Sequence, residues 1–235
     1  MLTTFLTDAV LVAEVSHLLN TAEEALRDKQ VEMDRNVLDP FAAMFEMAGF
    51  GLSHDAWVRS ELMRQAQKSL QNQVGDFHQS ILGSMEGWEN LNTGSVVDLV
   101  SHPRKIIAEV KNKHNTLTGG KRSDQYHNFE KLVMQKASRY RGYTAYLVTV
   151  IPKEPERFDL AFTPSDKETG ARCPENSLIR EIDGASFYDL ASGEKDTLSR
   201  LFKILPEVIK GVSGENISED GKAALAAYFG MAFGR

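Results

Sequence analysis

Two short stretches decide the fold: residues 94–101, with the sequence GSVVDLVS, and residues 105–113, with the sequence KIIAEVKNK. Each stretch predicts a β-strand, and residues 102–104 (HPR) predict a tight connection between them. Asp98 lies in the first strand, and Glu109 and Lys111 lie in the second. Because Glu109 and Lys111 are two residues apart in a strand, their side chains point to the same face of the sheet. The strand pair therefore predicts a cluster of two carboxylates and one amine.

These side chains are suited to the hydrolysis of a phosphodiester. Asp98 and Glu109 supply the oxygen ligands that Mg²⁺ prefers, and the backbone carbonyl of Val110 offers another. A bound metal lowers the pKa of water and stabilises developing negative charge. Lys111, with its compact charge and shiftable pKa, is predicted to orient or deprotonate that water and to contact the scissile phosphate. The alternative is a solvated aspartate beside an exposed ion pair, which would contribute less than about 1 kcal/mol.

Charge is distributed unevenly along the chain of 235 residues, whose formal net charge is −6. Residues 1–60 contain ten Asp or Glu and four Lys or Arg, whereas residues 101–143 contain three acidic and ten basic residues. The basic segment begins at the predicted site, which suits a polyanionic substrate. The alternative is a solvated helix face that happens to be basic.

Composition restricts the other classes of function. No apolar run approaches the roughly 20 residues that cross a bilayer, and the N-terminus lacks the basic start of a signal peptide. The single cysteine, Cys173, excludes an intramolecular disulfide, predicts no cysteine zinc site and is most simply an inert thiol. We therefore expect a cytoplasmic protein with no membrane partner.

The rest of the chain predicts helices before the strand pair and a mixture of helices and strands after it. Expected helices cover residues 1–35 (with a second helix beginning at Thr21), 40–47, 55–86, 123–140, 197–210 and 220–229. The Phe- and Met-rich helix at 40–47 is expected to pack into the core. Expected strands cover 143–151, which reads as a buried central strand, 178–183 and 186–190. The fold class is therefore mixed α/β (α+β), with an N-terminal helical region at 1–54 packed on a core at 55–235.

The central stretch resembles a known superfamily. Asp98, ten intervening residues and then Glu109-Val110-Lys111 resemble the signature of the PD-(D/E)XK nucleases, with Val97 in place of the proline. The expected order of elements is similar to the αβββαβ core of that superfamily. Residues 75–116, which begin GDFHQ and end EVKNKHNT, resemble type II restriction endonucleases that cut GGNCC or GGWCC palindromes. The resemblance covers about the middle half of the chain.

The resemblance implies a Mg²⁺-dependent deoxyribonuclease, with Mn²⁺ as a substitute, that leaves 5′-phosphates and 3′-hydroxyls. It implies double-stranded DNA as the substrate, a homodimer in which each subunit cuts one strand, and a methyltransferase that protects the DNA of the prokaryotic host. It also implies another acid on the helix before the first strand. Asp76 and Glu86 are both candidates, and Asp76 is preferred because it lies in the matching stretch.

Polar residues after the second strand are predicted to face DNA: Asn112, Lys113, His114, Asn115, Lys121, Arg122 and Gln125. Arg and Lys read guanine in the major groove, but a phosphate contact that positions without specifying is equally open for each. His114 is equally consistent with an ordinary loop histidine, and His78 is expected to be structural. Two other functions remain open on this core: a repair or junction-resolving nuclease, and a non-catalytic DNA-binding protein.

Overall fold

The computed structural model describes residues 2–32, 37–92 and 96–234. The helices in these ranges are α1 (Asp8–Glu32), α2 (Pro40–Phe50), α3 (His54–Gly83), α4 (Gly119–Met134), α5 (Gly184–Ser192), α6 (Thr197–Ser213) and α7 (Glu219–Phe233). The strands are β1 (Glu89–Asn90), β2 (Leu99–Ser101), β3 (Ile106–Lys113), β4 (Thr144–Ile151), β5 (Asp159–Ala161) and β6 (Ile179–Asp183). The succession α3–β1–β2–β3–α4–β4 confirms the expected αβββαβ order.

The six strands form one mixed sheet in the order β1-β2-β3-β4-β6-β5. The three middle strands, β3, β4 and β6, run parallel, whereas β1, β2 and β5 pair antiparallel with their neighbours. Residues 145–150 of β4 are all buried. This confirms the expected central strand, because a strand with helices on both faces must be apolar on both.

Alternate residues of the central strands enter two separate core clusters. Ala108 and Val110 of β3 pack in a first cluster with residues of α1, α3, α5 and α6. Ile107 packs in a second cluster with residues of α4. Since side chains alternate along a strand, Glu109 and Lys111 follow Ile107 onto the α4 face. The sheet thereby places Glu109 and Lys111 on the face opposite to Ala108 and Val110.

Several expected boundaries were wrong. β2 contains three residues, so Asp98 immediately precedes it, although the Asp98 N–H still donates to the Ala108 carbonyl at 3.0 Å. Residues 93–95 of the expected first strand lie outside the described residues. α1 passes through Thr21 without a break, because the Thr21 hydroxyl donates to the His17 carbonyl at 2.9 Å instead of capping a new helix. The expected strand at 186–190 is α5, which Asp183 caps by accepting from the Ser186 N–H at 2.9 Å.

Helix α2 forms at the expected place but does not enter the core. Asp39 caps it, Pro40 is its first residue, and none of its eleven residues, all of which the structure describes, is buried. Phe45 and Phe50 are 73% and 74% exposed. The expectation of core packing was wrong, because the large apolar side chains of α2 stay exposed in the described structure. An apolar helix with no buried residue needs another explanation.

Replacement of Gly184 by alanine is expected to destabilise the fold. A Cβ at this position would lie 2.5 Å from the Val150 carbonyl oxygen and 2.6 Å from its Cα, so α5 or β4 would have to move. Overpacking of this kind costs about 1–3 kcal/mol, which urea unfolding would measure. Gly211→Ala in α6 is the matched control: nothing lies within 4 Å of its Cβ, so a gain of up to about 1 kcal/mol is expected. Equal stability of the two variants would contradict the close approach at Gly184.

Candidate active site

The three predicted catalytic side chains lie where β2 begins and β3 ends. One carboxylate oxygen of Asp98 (Oδ2) accepts a hydrogen bond from the Val110 N–H at 2.7 Å, which ties the aspartate to β3. On the strand itself, Lys111 Nζ lies 2.6 Å from Glu109 Oε1. The Glu109 side chain is 14% exposed and that of Lys111 is 23% exposed. The structure thus brings the three predicted side chains to one half-buried place.

Burial disfavours the ionised form of both carboxylates. Desolvation raises the pKa of Asp98, and the Val110 N–H and Lys111 offset part of that rise. Desolvation also raises the pKa of Glu109, the negative charge of Asp98 raises it further, and Lys111 opposes both. Two neighbouring carboxyl groups with raised pKa values are poised to gain from a cation, because a cation stabilises both charges together.

The geometry favours Asp76 over Glu86 as the additional acid. Asp76 is close enough to Asp98 to raise its pKa, and it lines a cleft of about 310 Å³ together with Val110 and Lys111. Glu86 is exposed and lies beyond the end of α3. Its carbonyl accepts from Arg104 at 3.0 Å, in the β2–β3 connection at the opposite end of β3 from Lys111. A role for Asp76 stays a prediction.

The same cleft contains polar atoms that suit a hydrated ion or a polar ligand. Asn112 lines it, and the side-chain oxygen of Asn112 is buried without a hydrogen-bond partner in the part of the chain that the structure describes. A buried acceptor without a partner costs free energy, so a donor supplied by water or by a ligand would stabilise it. The residues present therefore fit a hard cation such as Mg²⁺, for which Asp98, Glu109 and the Val110 carbonyl are the candidate ligands.

The structure places the candidate DNA contacts in different environments. Asn112, Lys113 and Asn115 line the cleft beside the site, and His114 and Lys121 are exposed. Arg122 pairs with Glu181 at 2.5 Å, and its guanidinium lies over the ring of Phe162. Gln125 is buried, so this structure does not present it to DNA. His78 is held by Tyr188, with 2.7 Å between Nδ1 and the hydroxyl oxygen, as expected for a structural histidine.

Sequence reasoning missed two sets of residues. Asn72 and Gln79 of α3 line the cleft beside the candidate site, on either side of Asp76. The i, i+4 and i+7 spacing of residues 72, 76 and 79 could have revealed this face. A second group, His127, Asp166 and Cys173, could hold a metal ion, because their ligand atoms all lie within 4.8 Å of one another. No local motif joins these three residues, so only the folded chain reveals them.

Asp98→Asn is expected to raise the thermal stability of the metal-free protein near neutral pH. Because burial raises the pKa of Asp98 above its usual value, the folded state binds this proton more tightly than the unfolded state does. The charged group therefore destabilises the fold above the raised pKa, and this cost disappears as the pH falls through it. Asparagine keeps an acceptor for the Val110 N–H without the charge.

The measurement is Tm against pH for the wild type and Asp98→Asn in EDTA. We expect the variant to melt higher at neutral pH, with the difference shrinking towards acid pH. A variant that melts lower at every pH would show that the carboxylate stabilises the fold instead.

The αβββαβ order around a mixed sheet, with two carboxylates and a lysine on its central hairpin, defines a nuclease of the restriction-endonuclease-like class. The family model described as Eco47II restriction endonuclease matches residues 3–213. The chain is 45% identical to the type II restriction enzyme Eco47II of Escherichia coli over 235 residues, with 98% of each chain covered. It is 30% identical to the type II restriction enzyme Sau96I of Staphylococcus aureus over 212 residues, with 86% of this chain and 77% of that one covered.

The chain therefore belongs to the Eco47II restriction endonuclease family. It is a type II restriction endonuclease, a site-specific enzyme of a restriction-modification system whose substrate is DNA. The prediction of a restriction endonuclease is therefore confirmed, in preference to a repair nuclease or a non-catalytic DNA-binding protein. No helix in the described ranges is long and apolar enough to span a membrane.

Proposed function

We propose that this enzyme cuts a short GC-rich palindrome of the GGNCC or GGWCC type with Mg²⁺, leaving 5′-phosphates. The metal-dependent hydrolysis is supported by one observation: the Val110 N–H donates to Asp98 and so holds this carboxylate on β3 beside the Glu109–Lys111 pair. The sequence resemblance supports the palindrome. Mn²⁺ is expected to substitute for Mg²⁺, since both bind oxygen ligands.

Each site residue has its own proposed role in hydrolysis. Asp98, Glu109 and the Val110 carbonyl would hold the metal, which when bound supplies charge neutralisation and a water of lowered pKa. Lys111 would contact the scissile phosphate and orient the attacking water from the same face as Glu109. Asp76 would add negative charge at the α3 side of the cleft. The residues Asn112, Lys113 and Asn115 would hold the DNA backbone or bases beside the site.

The experiment that tests this function is digestion of a sequenced, genome-sized DNA, followed by sequencing of the fragment ends. With Mg²⁺ we expect discrete ends at one palindromic motif and a fixed stagger, and with EDTA no cleavage. Ends scattered over many sequences would refute the site-specific proposal. Ends at an unrelated motif would refute only the GGNCC or GGWCC assignment.

We also propose that the enzyme acts as a homodimer and that α2 forms part of the dimer interface. Phe41, Met44, Phe45 and Phe50 expose an uncharged apolar surface, which we call the α2 face. The one acid of the helix, Glu46, is turned to α3, where it accepts from the Trp57 indole N–H at 2.7 Å. Because the α2 face has no charge to match and residues 1–60 are acidic overall, DNA is a poor occupant. The α2 face of a second copy of the chain is a suitable binding partner, since a two-fold interface is self-complementary.

The biological setting follows from the same function. A methyltransferase that modifies the same palindrome would protect the host DNA, without a stable complex with this chain. We place both enzymes in the cytoplasm of a prokaryotic cell, where one buried thiol, Cys173, stays reduced.

A further inference from the structure

A second cluster of ligand-type side chains lies outside the nuclease site. His127 belongs to α4, whereas Asp166 and Cys173 belong to the connection between β5 and β6. The distance from His127 Nε2 to Asp166 Oδ2 is 2.7 Å, and the Cys173 sulfur completes a group whose ligand atoms lie within 4.8 Å of one another. We propose that His127, Asp166 and Cys173 supply three protein ligands, with water as the fourth, to a binding site for Zn²⁺ or a similar borderline-soft divalent cation.

The donor set selects this class of metal. Imidazole, carboxylate and thiolate are the three ligand types that Zn²⁺ takes in proteins, whereas Mg²⁺ takes oxygen ligands and prefers the site on β3. Ligand atoms around a tetrahedral zinc lie about 3.3–3.8 Å apart, so the imidazole and carboxylate would separate by about 1 Å as the metal replaces the proton between them. A mixed site requires one thiolate, so the single cysteine does not exclude it.

Two of the three ligands, His127 and Asp166, already have neighbouring polar groups outside the proposed site. Glu130 Oε2 lies 3.7 Å from His127 Nδ1, the ring nitrogen that faces away from Asp166. The other oxygen of Asp166 accepts from the N–H groups of Glu168 and Thr169 at 2.7 and 3.1 Å, which leaves Oδ2 for the metal. Metal-binding carboxylates are oriented by second hydrogen bonds such as those of Asp166, and Glu130 is placed to accept from His127 Nδ1 after a small side-chain movement. An ordinary surface ion pair would need neither these partners nor the thiol.

Access and location fit a metal that stabilises structure. The His127 side chain is 40% exposed and that of Asp166 is 14% exposed, so an ion can enter, while Cys173 is buried behind them. The nearby Lys167 is held by Asp124 at 2.5 Å and does not occupy the site. The metal would join α4 to the β5–β6 connection, the long segment that the core holds through Phe162 and Cys173.

The test uses Co²⁺ in place of Zn²⁺ on the full-length protein after treatment with EDTA. A thiolate bound to Co²⁺ gives a charge-transfer absorption, and because the chain has one cysteine this band reports only Cys173. We expect the band to saturate at one equivalent of Co²⁺ and to disappear on addition of one equivalent of Zn²⁺. No band in the wild type would overturn the proposal.

Variants separate this site from the nuclease site. Cys173→Ser and His127→Gln are expected to lose the band, and Glu130→Gln to weaken Co²⁺ binding about 10-fold, the usual cost of an outer partner. Asp98→Asn is the matched control in the other site and should keep both the band and the stoichiometry. His127→Gln changes a partly exposed residue, so it remains informative if Cys173→Ser does not fold. A band that persists in His127→Gln would refute the ligand set, whatever the result of the DNA digestion.

Discussion

Lys111→Ala is expected to slow DNA cleavage strongly while DNA binding persists. Lys111 is the one basic side chain that contacts Glu109 in the described structure, at 2.6 Å, and it lines the cleft beside Asp76. Loss of a single group that stabilises charge in a transition state typically costs about 10²–10³-fold in rate. Single-turnover cleavage of a DNA with one recognition site, with Mg²⁺ and excess enzyme, measures the rate separately from binding.

Two further substitutions test whether the loss of activity depends on the lysine at position 111 itself. Lys111→Arg is not expected to restore the rate, because a planar guanidinium cannot replace a compact ammonium at a site shaped for it. Lys153→Ala is the matched control: Lys153 is 77% exposed, lies just beyond β4, and among the described residues pairs with neighbouring Glu154 at 3.8 Å. Its cleavage rate should equal that of the wild type. Full activity in Lys111→Ala would show that the catalytic site lies elsewhere.

The residual activity of Lys111→Ala should require a higher pH than that of the wild type. Lys111 opposes the rise in the pKa of Glu109 that burial and Asp98 cause. Without the lysine this pKa rises further, so a higher pH is needed to ionise Glu109 and hold the metal. The pH profile therefore distinguishes a lost charge from a lost fold.

Phe45→Asp is expected to convert the proposed dimer into a monomer without unfolding the chain. Phe45 is 73% exposed on the α2 face, so the substitution should change the folding stability of the isolated chain little. Burial of an aromatic side chain contributes about 1.5–3 kcal/mol, and the change occurs twice in a two-fold interface. A loss of about 4 kcal/mol weakens the dimer about 10³-fold. Analytical ultracentrifugation at micromolar concentration would measure the change directly.

Met231→Asp is the control for this substitution. Met231 is 75% exposed on α7, so it places the same charge on an equally exposed apolar residue away from α2. We expect this variant to remain a dimer. Dissociation caused by Met231→Asp but not by Phe45→Asp would assign the interface to α7. A monomeric wild type that still cuts both strands would refute the dimer but not the nuclease.

Local sequence predicted the elements whose own residues specify them. The apolar run of β4 and the Asp98–Glu109–Lys111 spacing each depend on neighbours in the chain, so they were visible without the fold. The strand predicted at 186–190 was wrong because local sequence did not distinguish strand from helix there. Its apolar residues suit either a short strand or a short helix, and the cap supplied by Asp183 favours the helix.

The sequence by itself indicated the class of the enzyme, through its resemblance to the PD-(D/E)XK nucleases, and it indicated a mixed sheet. It also determined the catalytic candidates, because strand periodicity places Glu109 and Lys111 on one face. Tertiary structure decided what depends on distant contacts. It brought Asp76 rather than Glu86 to the cleft, left the α2 face exposed, and gathered His127, Asp166 and Cys173 into one group. The burial of a side chain and its distance from another depend on residues that are far apart in the chain, so no short stretch of sequence determines them.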